Sequence, residues 1–277
     1  MPDLKPLEPG VMFWAGRDTV AEMKALGVRC GQLAFDGGFR LDRAAAGQWR
    51  AELIAEGFTL VTVFAAYQGE DYADIPTVRR TVGFIPPETR EERERRTCEV
   101  SDFAAALGVG SIACHIGFVP EDTSEPDYVG VRNLVRRVCD YAANRGQTFA
   151  LETGQEPAAV LLGFMQDVDR PNLRINFDPA NMILYGTGEP IEALRQLAPH
   201  VASVHAKDGD WPPPGVPGAL GIERPLGEGS VGIERLVETL REIGFRGPLN
   251  VERESSDPER RIRDMRAAVE LLRKLTA

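Results

Sequence analysis

Four residues carry the chemistry that the chain's residue types and spacing allow. They are Glu152 in ALET, Asp178 in NFDPAN, His205 in VHAKD and Glu252 in NVERE, each at the end of a short apolar run. A carboxylate buried alone costs several kcal/mol, so several placed together require a compensating cation. Three carboxylate oxygens and one imidazole nitrogen form a hard-to-borderline donor set. Such a set suits one divalent ion, Mn²⁺ before Mg²⁺, Co²⁺ or Zn²⁺, better than it suits a closed structural zinc site. Four protein ligands on an ion that prefers six leave two positions, which adjacent hydroxyl and carbonyl oxygens of a sugar would fill. Taken singly, an acid at a strand end caps the next helix or is solvated, and a histidine in an apolar strand is a packed core residue. Four at corresponding positions in successive strands are not independent, and together they point to one site.

The elements that must position them repeat along the 277 residues. Short runs rich in Val, Ile, Leu and Phe occupy 11–15, 29–35, 58–67, 111–117, 148–153, 173–178, 201–208 and 248–254, as expected of buried parallel strands. Between them lie helix-like segments such as DTVAEMKALG, the stretch from Glu88 to Leu107, and VGVRNLVRRVCDYAANRG, several ending at a glycine suited to a helix C-cap. Eight strand-helix repeats predict an α/β fold, a (β/α)₈ TIM barrel formed as a single domain over residues 1–277. An open doubly wound sheet is the competing arrangement, but no GxGxxG loop follows the first strand. Two connections, 68–87 and 209–230, are long, and both follow strand C-termini, the face on which barrel enzymes build their sites. They are expected to act as lids.

Further candidates follow from strand alternation. Lys207 shares the inward parity of His205 and could act in catalysis by stabilising an enolate oxygen, and Asp208 beside it could orient it or bind a hydroxyl. His115 ends the fourth strand and would face the pocket, while His200 precedes the seventh and belongs to the opposite end. Trp14, Tyr67, Phe118 and Trp211 lie near strand ends, where they could wall a sugar ring. Arg79, Arg80 and the LGEG turn could hold a phosphate, although a solvated basic face is the better explanation.

Composition bounds the partners. The chain is 43% hydrophobic and 27% charged, as folded domains are, and its formal charge of −10 disfavours nucleic acid or an anionic membrane as partner. Cys30, Cys98, Cys114 and Cys139 form no CxxC pair, which fits reduced thiols and a cytoplasmic location. Neither a leader-like N-terminus nor an apolar stretch of about 18 residues is evident, so no export or membrane span is expected.

The LET, FDPAN, HAKDG and VERE segments, with TVGFIPPETR and LGEGSV as weaker signals, resemble the xylose-isomerase-like TIM-barrel superfamily of sugar and sugar-phosphate isomerases and epimerases. The resemblance runs over most of the chain. It implies that Glu152, Asp178, His205 and Glu252 are metal ligands, and that Glu152 and Glu252 double as acid/base groups on opposite sides of the substrate carbon. It also implies a carbohydrate substrate, an enediolate reached by proton removal beside a carbonyl, and an assembly open to dimers or tetramers. Two positions depart from the ketose 3-epimerases of that superfamily. Asn181 replaces a histidine three residues after the aspartate, and could bind a hydroxyl or cap a turn. Trp211 stands where an arginine lies six residues after the histidine. Other activities on this barrel are keto-sugar or keto-inositol dehydration, phosphodiester cleavage at abasic sites, and sugar binding without turnover. The second needs more histidines than the three present.

Overall fold

The computed structural model describes residues 4–277, and all eight apolar runs form strands in it. They are β1 (Pro9–Trp14), β2 (Cys30–Phe35), β3 (Thr59–Ala65), β4 (Ser111–Cys114), β5 (Thr148–Glu152), β6 (Leu173–Phe177), β7 (Val201–Ala206) and β10 (Leu249–Val251). All pair in parallel and close into a barrel in the order β1-β10-β7-β6-β5-β4-β3-β2, which excludes the open sheet. Closure leaves no edge strand, so every strand is covered on both sides and reads as a run rich in apolar residues.

Alternation along the strands divides the side chains between two layers. Phe13, Leu33, Phe35, Phe149, Ile175, Phe177 and Val204 face outward into the main core beneath the helices. Inside the barrel, Met12, Ala34, Phe64, Ala113 and Ala150 form a small cluster with Trp14 against it. Inward positions are otherwise polar: Gln32, Asn176, Ser203, His205 and Asn250 are all buried. The small alanines leave room inside, and that room holds polar groups.

The helices are α1 (Val20–Lys24), α2 (Arg43–Glu56), α3 (Ile75–Thr81), α4 (Arg90–Leu107), α5 (Pro126–Ala143), α6 (Ala158–Val168), α7 (Pro179–Tyr185), α8 (Pro190–Leu197), α9 (Ile233–Glu242) and α10 (Pro258–Thr276). Glycine ends α2 and α4 in the left-handed conformation expected of it, at Gly57 (φ 61°) and Gly108 (φ 79°). Neither long connection is irregular throughout. The first contains α3, and Gly83 presses its backbone so close to Ile116 that a Cβ there would lie 2.0 Å from the Ile116 carbonyl carbon. The second folds into an antiparallel ribbon of β8 (Asp208–Asp210) and β9 (Ile222–Arg224). The four cysteines are free thiols. Among the described residues, no helix is long and apolar enough to cross a membrane.

Candidate active site

The inward parity of strand ends places the site. Glu152 is the last residue of β5, Asp178 follows β6 and caps α7, His205 lies within β7, and Glu252 follows β10. One donor atom from each of the four lies within 4.8 Å of every other. His205 Nδ1 marks their meeting point, 2.8 Å from Glu152 Oε1, 3.1 Å from Glu252 Oε2 and 3.3 Å from Asp178 Oδ2. Asp178 is held by its neighbours: Oδ1 accepts the Asn181 N–H at 2.8 Å, leaving Oδ2 to face His205.

Each glutamate has a cationic partner of its own. His115 Nε2 lies 2.9 Å from Glu152 Oε2, and Lys207 Nζ lies 3.0 Å from Glu252 Oε2 and 3.3 Å from Glu254 Oε2. Burial alone would raise the Glu152 carboxyl, but the imidazoles of His115 and His205 outweigh it and draw it down to about 2. Burial opposes ionisation of Glu252 too, and Lys207 and His205 hold it well below the usual carboxylate range. Burial pushes Asp178 up, because Lys207 and His205 offset that effect only in part. His115 shows the converse: burial favours the neutral ring, yet Glu152 raises it to about 9. His205, fully buried, is raised well above its ordinary range by Glu252 and Glu152. Three buried carboxylates thus draw positive charge to the imidazole among them, and a divalent ion would supply that charge directly. Donor type, convergence and burial all fit such an ion, so this cluster could hold one.

Above the cluster lies a cavity of about 290 Å³ lined by Met12, Trp14, Phe64, Glu70, Tyr72, His115 and Asn181, among others. Trp14, His115 and Lys207 therefore lie where the strand pattern puts them, and Asn181, in the first turn of α7, lines the same cavity with its Nδ2 3.5 Å from Glu152 Oε1.

Other expectations need correction. Asp208 faces away from the pocket, as a neighbour of inward Lys207 must. Its carboxylate accepts the backbone N–H groups of Gly209, Gly227, Gly229 and Val231 at 2.9–3.1 Å. It is a tether for the second loop. Within LGEG, the Gly227 and Gly229 amides are spent on that tether and the Glu228 N–H donates to the Pro225 carbonyl, so these three do not cradle a phosphate. Trp211 projects from the ribbon, 42% exposed and outside the cavity. Tyr67 is buried in the outer core with its hydroxyl 2.7 Å from Thr97 Oγ1. Phe118 and Arg79 line a separate cavity, stacked with the guanidinium 4.2 Å from the ring centroid. Two expectations hold: Arg80 donates to Thr77 on a solvated face, and His200 sits at the far end of β7. We expect Asp208→Ala, which strips four amides of their acceptor, to lower turnover by about tenfold or more through loosening of the second loop. Ion affinity should stay within about twofold, since Asp208 touches none of the four donors. Calorimetric titration beside a kinetic assay checks both.

Glu70, Tyr72, Glu223 and Glu254 also line the cavity and were not anticipated. Glu254 carries a sequence signal, since it shares the parity of Glu252. Glu70 and Tyr72 come from a loop, where no periodicity reports direction, and Glu223 comes from the three-residue β9, too short for a period to be read.

A family model described as "Xylose isomerase-like TIM barrel" matches residues 20–275, nearly the whole chain. The chain belongs to this family. Among solved members of the xylose isomerase-like TIM-barrel fold, a xylose isomerase domain protein from Planctomyces limnophilus is 45% identical. It superposes with a TM-score of 0.94 over 98% of this chain and 97% of its own. The curated relative MJ1311 of Methanocaldococcus jannaschii, an uncharacterized protein, is 25% identical over 206 residues, which is 68% of this chain and 66% of that one. The chain therefore spans just under two thirds of that relative's length. At lower identity the fold is shared with 3-keto-D-glucoside 4-epimerase from E. coli (17%, TM-score 0.67, 97% of this chain and 99% of that one). It is shared also with a probable 3-DHS dehydratase from Bacillus anthracis (15%, TM-score 0.67, 95% and 98%). These last two establish common architecture only.

Proposed function

We propose that the chain is a divalent-metal-dependent isomerase or epimerase of neutral keto-sugars, acting by proton transfer beside a carbonyl through an enediolate. The observation that carries this reading is the convergence of Glu152, Asp178, His205 and Glu252 at the floor of a sugar-sized cavity. These four would hold the ion, Mn²⁺ in the first instance, which when bound polarises the carbonyl and acidifies the adjacent C–H.

The chain's own residues then divide the remaining work. One glutamate removes the proton and the other returns it. Return to the opposite face of the same carbon inverts the centre, and return to the neighbouring carbon isomerises aldose and ketose. Lys207 beside Glu252 and His115 beside Glu152 keep both carboxylates ionised until a proton arrives. Asn181 and His115 have polar atoms at the cavity wall for hydroxyls, and Trp14 and Phe64 offer apolar faces.

Charge selects the substrate class. Glu70, Glu152, Glu223, Glu252 and Glu254 line the cavity, and among the described residues no arginine does. Its cationic side chains are already paired, Lys207 with Glu252 and Glu254 and His115 with Glu152. A phosphate would enter against like charge, which disfavours sugar phosphates.

The test is a panel of ketoses and their phosphates in D₂O with Mn²⁺, read by NMR. Deuterium should enter the carbon next to the carbonyl of a free sugar, stop with EDTA and resume with Mn²⁺ or Co²⁺. Phosphates should exchange about tenfold more slowly or worse. Undiminished exchange in ion-free protein would overturn the mechanism.

Dehydration of a keto-sugar begins with the same proton removal, and one observation favours it as a second reading. Burial raises the Glu70 carboxyl despite the N–H groups of Gly83 and Tyr67, so the cavity contains a carboxyl that takes up a proton more readily than an ordinary one, as assistance to a departing hydroxyl requires. Formation of an ultraviolet-absorbing enone would identify it.

A further inference from the structure

We infer that Gln32, in the middle of β2, is a positioning residue that fixes how His205 presents itself to an ion. The inference rests on the four-residue centre proposed above and concerns a residue that lies outside it.

β2 is not a neighbour of β7; β1 and β10 stand between them in the barrel. Gln32 nonetheless reaches His205 across the interior, with its Oε1 2.6 Å from His205 Nε2. The amide is in turn held, its Nε2 donating to Asn176 Oδ1 at 3.0 Å, and Ser203 Oγ donates to the same oxygen. Gln32, Asn176 and His205 are each wholly buried, so no water competes for these contacts.

An imidazole that offers Nδ1 to a cation needs its lone pair there, and its proton must then sit on Nε2. Gln32 Oε1 is the acceptor that this arrangement requires. Without it, an N–H would be buried unpaired, and the ring would favour the tautomer whose Nδ1–H donates to the three carboxylates. Outer partners of metal-binding histidines act in this way, and their loss typically weakens ion affinity by about 10–100-fold.

The chain contains three histidines, so the imidazole ¹⁵N spectrum of the whole protein is simple enough to assign. In wild-type protein loaded with Zn²⁺, His205 Nε2 should carry the proton and Nδ1 should not. Gln32→Leu, which keeps the volume and removes the acceptor, should weaken Mn²⁺ binding in calorimetric titration by about 10–100-fold. Gln32→Glu restores an acceptor. Asn176 can turn to meet it, because its Nδ2 is buried and has no other partner. That variant should bind Mn²⁺ within about threefold of wild type. A merely structural role would lower the melting temperature of both variants without separating their affinities. The inference is overturned if Gln32→Leu binds Mn²⁺ as wild type does, or if Nδ1 of the Zn²⁺-loaded wild type carries the proton. That spectrum decides the matter even where Gln32→Leu fails to fold. A wild-type chain that takes up no divalent ion would overturn both this inference and the reading it rests on.

Discussion

Replacing Glu252 by glutamine is expected to reduce net sugar conversion by at least about 10³-fold at saturating Mn²⁺. Two losses combine. The substitution keeps the shape of the side chain but removes a proton-transfer group, which contributes about 10²–10⁴-fold. It also withdraws one of four donors from the cluster and weakens its hold on the ion. Saturating Mn²⁺ separates them, because added ion restores occupancy and cannot restore a base. Lys207 keeps Glu254 at 3.3 Å and is not left without a partner, so the folded state should survive.

Glu152→Gln makes the comparison informative. If one glutamate takes the proton and the other returns it, both variants lose net conversion. The variant that retains the abstracting base can still exchange the substrate proton with solvent on one face. We therefore expect conversion to be lost in both and deuterium wash-in to persist in one. Conversion by Glu252→Gln at more than a tenth of the wild-type rate would remove Glu252 from the acid/base pair.

The barrel was legible because closure buries every strand on both faces, and burial writes itself as short runs rich in Val, Ile, Leu and Phe. The four donors were legible for a related reason: Glu152, Asp178, His205 and Glu252 are charged or ligating residues where such runs stop. Elsewhere the same alternation was underused. Asp208 adjoins inward Lys207 and must point outward, where four backbone amides meet it. Gln32 sits two residues before inward Ala34 and shares its parity, so a buried amide needing partners was written into RCGQLAF. Trp211 could not be placed, since it follows the turn of chain into the ribbon and no strand period extends that far. Glu70, Tyr72 and Glu223 depend on how two long connections fold back over the mouth. That is decided by contacts such as the Gly83 backbone on Ile116 and the Asp208 tether, which join residues distant in sequence.

The largest expected effect on stability lies away from the chemistry, where the two ends of the chain are joined. Asp18, in the connection after β1, and Arg261, in the first turn of α10, are 5% and 4% exposed and form an ion pair. Asp18 Oδ2 also accepts the Trp14 N–H at 2.9 Å, so the pair anchors the strand end that carries a cavity wall. Arg261→Met preserves much of the side-chain volume and leaves Asp18 with Arg17, 3.3 Å away and 45% exposed, as its remaining cation. Removing one partner of a buried pair typically costs about 3–5 kcal/mol, because the other charge stays desolvated. For a chain of this size that corresponds to a fall in melting temperature on the order of 10 °C. Adding Asp18→Asn removes the stranded charge while an amide oxygen can still accept the Trp14 N–H. The double variant should therefore recover more than half of the loss, as neutralised buried pairs commonly do. Thermal unfolding of the three variants measures this coupling. If Asp18→Asn destabilises the Arg261→Met background further, the carboxylate is held by its backbone contacts and not by the arginine.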